Sequence, residues 1–447
     1  MVIWYKCVMQ MVPISEAAKI LDVSIDTLRR WDKGGIIRAT RDSRGVRQFD
    51  IDEVRRIKEK QQSRKNGGVP PTIRFLADSA KNGLNAIDLF AGGGGTALGL
   101  SKAGFSHKLL SEIDPHAAET LRSNKPHWNV VEGDVSNIDF KPYYGDLDLL
   151  EGGFPCQAFS YAGKSLGFAD IRGTLFFEFA RAVEETMPKV FVGENVRGLL
   201  RHDSGRTLET MLKTLREIKD PNTGHSYSVA YKVVKSQYHD VAQKRERLLI
   251  IGVRSDVGDK IYFPKERDYV VSIWEAIGDR PQSEGQEYPA SKKRVMKLVP
   301  EGGYWRDLPD EIQREYMGRS YFLGGGKTGM ARRLSWDEPS LTLTTSPAQK
   351  QTERCHPDET RPLNVREYAR IQSFPDDWKF SGPVAAQYKQ IGNAVPVNLG
   401  YYVGKCVQAM IGDLSPEVLE FAEEAEEKYY AFHAVDEGRE LVSTVES

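Results

Sequence analysis

Pro155-Cys156-Gln157, within the run Glu151-Gly152-Gly153-Phe154-Pro155-Cys156-Gln157-Ala158-Phe159-Ser160, puts a thiol just past an apolar stretch at 147–150. A cysteine there suits covalent catalysis, because a thiolate splits one hard step into two easier ones. The glycine pair allows a sharp turn and close approach by a flat substrate, and the proline stiffens the bend that aims the sulfur. A lone cysteine in an apolar stretch is more often buried and inert, so the rest of the chain decides. Asp88-Leu89-Phe90-Ala91-Gly92-Gly93-Gly94-Gly95 ends another strand-like run and leads into a helix near Thr96, a tight turn against which a cofactor can lie. It has no clean GxGxxG and no Gly-Lys-Ser/Thr, so the dinucleotide and triphosphate readings fail. Glu112 closes the next strand, where an acid can accept both ribose hydroxyls of an adenosine. Asp134, after Gly133, closes the third and can accept from an adenine amine. Glu194 ends a further strand, and Arg245 and Arg247 open one, where a guanidinium fork can hold a base oxygen or a phosphate.

These residues need a scaffold that presents strand ends. Strand-like runs at 84–90, 108–111, 128–131, 147–150, 189–193 and 247–253 alternate with helical stretches, the pattern of an α/β sheet covered on both faces. Ligands bind beyond the carboxyl ends of such strands, and each motif above falls at one. From 255 to 359 the pattern degrades into short strands, glycine clusters and turns, an inserted and mostly irregular second lobe.

Bulk properties narrow the class. The 447 residues allow two or three domains, and 40% hydrophobic residues with a mean hydropathy of −0.48 fit a soluble globular protein. No apolar run approaches the ~20 residues of a membrane span, and the opening residues are too short and mixed for a signal peptide, so a cytoplasmic protein is expected. The four cysteines, Cys7, Cys156, Cys355 and Cys406, are scattered without a CxxC pair, which argues against a disulfide framework and a zinc site. Cys355-His356 is one adjacent pair without partners, and no metal is expected. The net charge of −1 conceals segregation: residues 29–65 carry thirteen Lys/Arg against six Asp/Glu, and 413–447 carry eleven acids against two bases. The acidic tail reads as a solvated helix.

Near the N-terminus, 15–21 and 24–33 read as short helices opened by serines and separated by Asp22-Val23, a helix-turn-helix spacing. A turn at Ser43-Arg44-Gly45 then links two short runs as a hairpin with arginine at its tip, and Asp50 caps a third helix with Ile51, Val54 and Ile57 on one face. Residues 12–60 resemble the winged helix of the MerR and excisionase families. That resemblance implies Thr27, Arg29 and Arg30 facing base edges and Arg41, Arg44 and Arg47 facing phosphates. Residues 61–83, beginning Gln61-Gln62-Ser63-Arg64-Lys65-Asn66-Gly67-Gly68, read as a linker.

The cysteine run, the glycine turn, Glu194-Asn195-Val196, Gln243-Lys244-Arg245-Glu246-Arg247, the stretch 361–375 and Gln390-Ile391-Gly392-Asn393-Ala394-Val395-Pro396 stand in one order. This ordered set resembles the DNA (cytosine-5) methyltransferase family over about 84–406. The resemblance implies a Rossmann-like catalytic domain at 84–254 that binds S-adenosylmethionine, a target-recognition lobe at 255–360, a return to the catalytic domain at 361–412 and a tail at 413–447, preceded by a ragged 1–11. It places Phe90, Gly92 and Gly94 at the methionine side of the cofactor, Glu112 on the ribose, Asp134 on the adenine amine, and Asn393 and Val395 across the pocket. Ile113 stands where the family often has an aromatic residue on adenine, so weaker stacking is expected.

The resemblance also implies the chemistry: Cys156 adds to C6 of cytosine, C5 becomes an enamine carbon able to take a methyl group, and protonated Glu194 donates to N3. Arg245 is the arginine expected on the base and Arg247 a DNA contact, with Thr344, Thr345 and Arg354 reading DNA from the recognition segment. Arg361, Arg366, Glu367 and Arg370 are expected to brace the second lobe. The target base must leave the duplex stack. Partners implied are double-stranded DNA, the gene's own promoter and a separately acting restriction endonuclease, in a restriction-modification system or as an orphan methylase. A tRNA cytosine-5 methyltransferase and a DNA-binding transcription regulator remain the alternatives; a cysteine hydrolase is disfavoured because no histidine sits in a motif that could serve as base.

Overall fold

The computed structural model describes residues 10–70, 76, 78–155, 175–412 and 419–421. Cys156, the first nine residues and nearly all of the acidic tail lie outside the described residues. The chain forms two compact units, one from Met1–Arg74, Arg267–Leu341 and Ala348–Glu367, the other from Phe75–Glu266, Thr342–Pro347 and Tyr368–Ser447.

The first unit opens with β1 (Met11–Pro13), α1 (Ile14–Leu21), α2 (Ile25–Lys33), β2 (Ala39–Arg41), β3 (Arg47–Asp50) and α3 (Ile51–Lys65). Asp22 ends α1 at φ 56°, a left-handed turn that lets α2 start two residues later, where Ser24 accepts from Thr27 N. β1, β3 and β2 form an antiparallel sheet, and Leu21, Leu28, Trp31, Ile37, Phe49 and Val54 are buried between it and the helices. At the hairpin tip Asp42 Oδ1 accepts from Arg44 N and Val46 N, both at 2.9 Å, with Gly45 at φ 77° completing the turn. α3 runs past the point where composition begins a linker. Its residue Gln61 donates to Asp337 (3.1 Å), and Arg64 pairs with Glu301 (3.0 Å) and Asp337 (3.4 Å). On α2, Arg30 Nε and Nη2 and Trp31 Nε1 all converge on Glu338 Oε1 at 3.1, 2.8 and 3.0 Å. Three carboxylates thus fasten the winged helix to the second lobe within one unit.

The lobe itself packs Tyr288, Met296, Trp305, Met317, Met330 and Cys355 around little regular structure. Carbonyls left unpaired by irregular backbone must find donors, and buried Arg333 supplies them, bonding Val299 O and Met296 O (both 2.7 Å), His356 O (3.0 Å) and Glu359 O (3.1 Å). Arg361 and Glu367 form a bidentate pair at 2.8 Å, whereas Arg370 pairs with Asp376 in the other unit.

The second unit is built on β4 (Asn85–Leu89), β5 (Ser106–Glu112), β6 (Val130–Glu132), β7 (Leu149–Gly152), β8 (Val190–Val196), β9 (Tyr227–Lys235), the two-residue β10 (Gln243–Lys244) and β11 (Glu246–Arg254). Its seven-stranded sheet runs β6-β5-β4-β7-β8-β11-β9, parallel from β6 to β8, with β11 antiparallel to both neighbours. β9 was not anticipated from the sequence: Tyr227-Ser228-Val229-Ala230-Tyr231-Lys232 alternates, but Lys232 and Lys235 mask it. Side chains alternate between faces. After β5 comes α5 (Pro115–Asn124), and Ile87, Leu150 and Phe191 pack on the side of α6 (Leu175–Thr186) and α7 (Arg206–Glu217). Ala86, Leu149 and Val192 pack on the side of α4 (Gly95–Lys102) and α9 (Val397–Ile411), which α8 (Val384–Asn393) precedes.

Candidate active site

The glycine turn is shaped by what crowds it. Phe90 (φ 62°), Gly92 (55°) and Gly94 (87°) have left-handed backbone, and Gly94 is the N-cap of α4. A Cβ at Gly95 would lie 2.0 Å from Val395 O and one at Gly99 2.4 Å from Val397 O, so only glycine lets α4 meet the C-terminal segment. Glu112 ends β5 with Oε2 accepting from Gly92 N and Oε1 from Asp114 N, both 2.7 Å. A carboxylate has about four lone-pair sites, so Glu112 keeps two for ribose hydroxyls. Asp134 is exposed and caps the next turn through Ser136 N (2.9 Å), and its bonding to Ser136 holds its carboxyl below the usual range. Ile113 is 68% exposed at the end of β5, a rare position for a large aliphatic side chain and suited to cover a flat ring. The residues fit S-adenosylmethionine: an acid for the ribose, an apolar surface for adenine, and a turn that admits a close ligand. Burying most of Ile113 on adenine is worth about 1.5 kcal/mol, so Ile113→Ala is expected to weaken cofactor binding about tenfold in calorimetric titration.

Across the sheet, β7 and β8 lie parallel with Gly152 opposite Gly193. A Cβ at Gly153 would stand 3.1 Å from Glu194 Oε2, and Asn195 Nδ2 donates to Phe154 O (2.9 Å, buried). The backbone leading to Pro155 is therefore tied to the strand that carries Glu194. Glu194 Oε1 lies 2.5 Å from Arg247 Nε, with the two side chains 13% and 11% exposed.

The two arginines differ from expectation. Arg245, expected on the base, is 1% exposed; Nη1 donates to Leu343 O (3.2 Å) and Gly392 O (3.0 Å), and Nη2 to Asn393 O (3.2 Å). Burial, and then neighbouring Arg247, pushes its pKa down. Arg245 ties its own bend to the Leu343 segment and to the end of α8, and it is Arg247 that meets Glu194. The Asn393 contact uses that residue's carbonyl, an interaction invisible to side-chain reasoning. Arg245→Ala orphans three carbonyls and is expected to destabilise the protein by about 3 kcal/mol in urea unfolding.

Thr344 bonds Tyr368 through both its N and O (3.3 and 3.1 Å), while Thr345 is exposed. Arg354, expected to contact DNA, is 4% exposed with Nη1 on Glu353 O (2.6 Å), so the lobe's interior occupies it and the DNA reading of Arg354 is withdrawn. In the winged helix, Arg29 pairs with Asp26, Arg41 with Gly45 O, Arg44 with Asp42 and Arg47 with Asp32. Thr27 shares a hydrogen bond with Ser24, and Arg30 meets Glu338 as described. The Arg29 and Arg44 pairs are exposed, and such pairs contribute little and open readily. His356 Nδ1 accepts from Asp358 N and Glu359 N, which accounts for it as a turn residue.

A mostly parallel sheet with a glycine turn after its first strand and an acid closing the second defines the S-adenosylmethionine-dependent methyltransferase class. A family model described as C-5 cytosine-specific DNA methylase matches residues 84–409, and the chain belongs to that family. It is a DNA cytosine-5 methyltransferase that uses S-adenosylmethionine and acts on DNA. A model of the MerR family of regulatory proteins matches residues 13–49. Type II methyltransferase M.Eco47II of Escherichia coli is 54% identical over 90% of this chain and 96% of its own length. Type II methyltransferase M.PspPI of a Psychrobacter species is 55% identical over 77% and 84%. A crystal structure described as a DNA modification methyltransferase of an E. coli prophage, 24% identical, covers 74% of this chain and 100% of its own at a TM-score of 0.52, a likeness of fold. No helix among the described residues is long and apolar enough to cross a membrane.

Proposed function

We propose that the protein methylates C5 of a cytosine turned out of a specific duplex site, with Cys156 as nucleophile and Glu194 as the acid at N3. The reading is supported by the bond from Asn195 to Phe154 O and the close approach of Gly153 to Glu194, which hold the backbone up to Pro155 beside the strand that carries Glu194. The Cys156 thiolate bonds to C6 while Glu194 delivers a proton to N3, and the electron pair moves to C5. Phe90, Gly92, Gly94, Glu112, Asp134 and Val395 hold S-adenosylmethionine, which supplies an electrophilic methyl group. After C5 is methylated, loss of the C5 proton to a base expels the thiolate, N3 returns its proton to Glu194, and the aromatic ring is restored. Arg247 takes the base-side place that the sequence suggested for Arg245, because it already meets Glu194. Turning the cytosine out costs a few kcal/mol, offset by these contacts.

The relatives' names, Type II methyltransferases, support a Type II modification role; a separately acting endonuclease is the partner this reading proposes. Base-resolution sequencing of DNA from a methylation-free host expressing the protein should show 5-methylcytosine in one short motif. An unmethylated genome with soluble, cofactor-binding protein would overturn the reading in favour of RNA.

The match to MerR regulators supports a second role, binding of the gene's upstream DNA by the winged helix. A gel shift with the full chain should show preference for that DNA; equal binding to random duplex would remove autoregulation.

A further inference from the structure

Central parallel strands buried on both faces are as a rule apolar throughout, yet β4 and β7 each carry an acid in their interior. Asp88 and Glu151 stand directly opposite in the parallel register and are 1% and 2% exposed. Both point to the face covered by α4, since their strand neighbours Ala86 and Leu149 pack there. Glu151 thus faces Asp88 across the register, with Asp88 Oδ2 buried and without a hydrogen-bond partner, and Thr96 in the first turn of α4 is its other polar neighbour. Glu151 therefore brackets the glycine turn on both sides, at Asp88 where the chain enters and at Thr96 where it leaves. Glu151 itself lies on the strand that leads to Pro155 and Cys156.

Two buried carboxyls in contact cannot both be ionised without large cost. The charges acting on the pair come from β5 and β8: Glu112 beside Asp88, and Glu194, with its partner Arg247 from β11, beside Glu151. We propose that Asp88 and Glu151 share a proton and that Glu151 is a positioning residue, locking the cofactor turn to the strand that delivers the nucleophile. The inference rests on the cofactor and Cys156 assignments above. Hydrogen bonding by protonated Glu151 needs its proton, so the bracket and the charge state are one device.

The titration has a definite sign. Burial first, and then neighbouring acids, raises both carboxyls, Asp88 to about 7. The folded chain then holds more protons than the unfolded chain from about pH 4 to about pH 7, so the pair's contribution to stability is lost as pH rises through that window. Glu151→Gln keeps the hydrogen-bonding groups without the ionisation. Its melting temperature relative to wild type should therefore climb between pH 5 and pH 8, by about 3 °C.

The deciding experiment pairs these melts with calorimetric titration of the full chain by S-adenosylmethionine. Glu151→Leu should weaken binding at least tenfold, Glu151→Gln should restore it to within about threefold, and Thr96→Val, which removes one arm of the bracket, should fall between. Wild-type affinity in both Glu151→Leu and Thr96→Val would overturn the positioning role. A melting difference between Glu151→Gln and wild type that does not change with pH would overturn the shared proton. Binding is read without Cys156, so a failure of the nucleophile assignment would show separately, as an active Cys156→Ser enzyme with this titration unchanged.

Discussion

Cys156→Ser is expected to lower the methylation rate by about four orders of magnitude or more while leaving S-adenosylmethionine affinity near wild type. Unactivated cytosine C5 is a poor nucleophile, and the proposed route around that depends on adding a polarisable anion at C6. A serine hydroxyl remains protonated near neutral pH and lacks the thiolate's nucleophilicity, so the geometry survives and the step does not. A duplex carrying 5-fluorocytosine at the target gives a direct readout, because fluorine cannot leave C5 as a proton does. Wild type should form a complex that resists denaturant, and the serine variant none. A variant that kept a tenth of the wild-type rate would remove Cys156 from the reaction.

Glu194→Gln is the second large effect, a loss of about a hundredfold to ten-thousandfold in single-turnover methylation. The amide retains size and hydrogen bonding but has no proton to give to N3. Its setting makes the substitution informative: Glu194 lies two residues before the end of β8 with Arg247 at 2.5 Å, so its orientation is held by β11 as well as its own strand. Arg247→Ala should therefore cost turnover too, through a carboxyl that is no longer aimed, with part of the loss appearing in KM for DNA. Full turnover in Glu194→Gln would eliminate the acid role.

Where the strands lie was largely legible in the sequence, because apolar runs locate strands well: Glu112 ends β5 and the glycine turn follows β4 as expected, whereas Asp134 stands two residues past β6 and Glu194 two residues inside the end of β8. The strand Tyr227–Lys235 was missed because it forms the sheet edge, where lysines are tolerated and blur the apolar pattern. The two arginines of Gln243-Lys244-Arg245-Glu246-Arg247 could not be told apart, since they lie two apart on one chain and differ only in what other loops bring to them. Arg245 meets the carbonyls of Leu343, Gly392 and Asn393, all about a hundred or more residues away in sequence. Arg333 was unremarked for the same reason: its function is to satisfy carbonyls of irregular backbone, and no motif announces that. Asp88 and Glu151 were visible as residues, but that they oppose each other depends on β7 lying next to β4, which is sheet topology.

The bonding of Arg30 and Trp31 to Glu338 turns the question of promoter binding into one of populations. A helix that must release Arg30 before it can read a base is competent only in the released fraction of molecules, and its apparent affinity falls in proportion to that fraction. Each 1.4 kcal/mol held in the Glu338 contact is then a tenfold handicap for a second DNA. The same carboxylate, by its strength alone, would set how much of this enzyme in a cell is free to act as anything other than an enzyme.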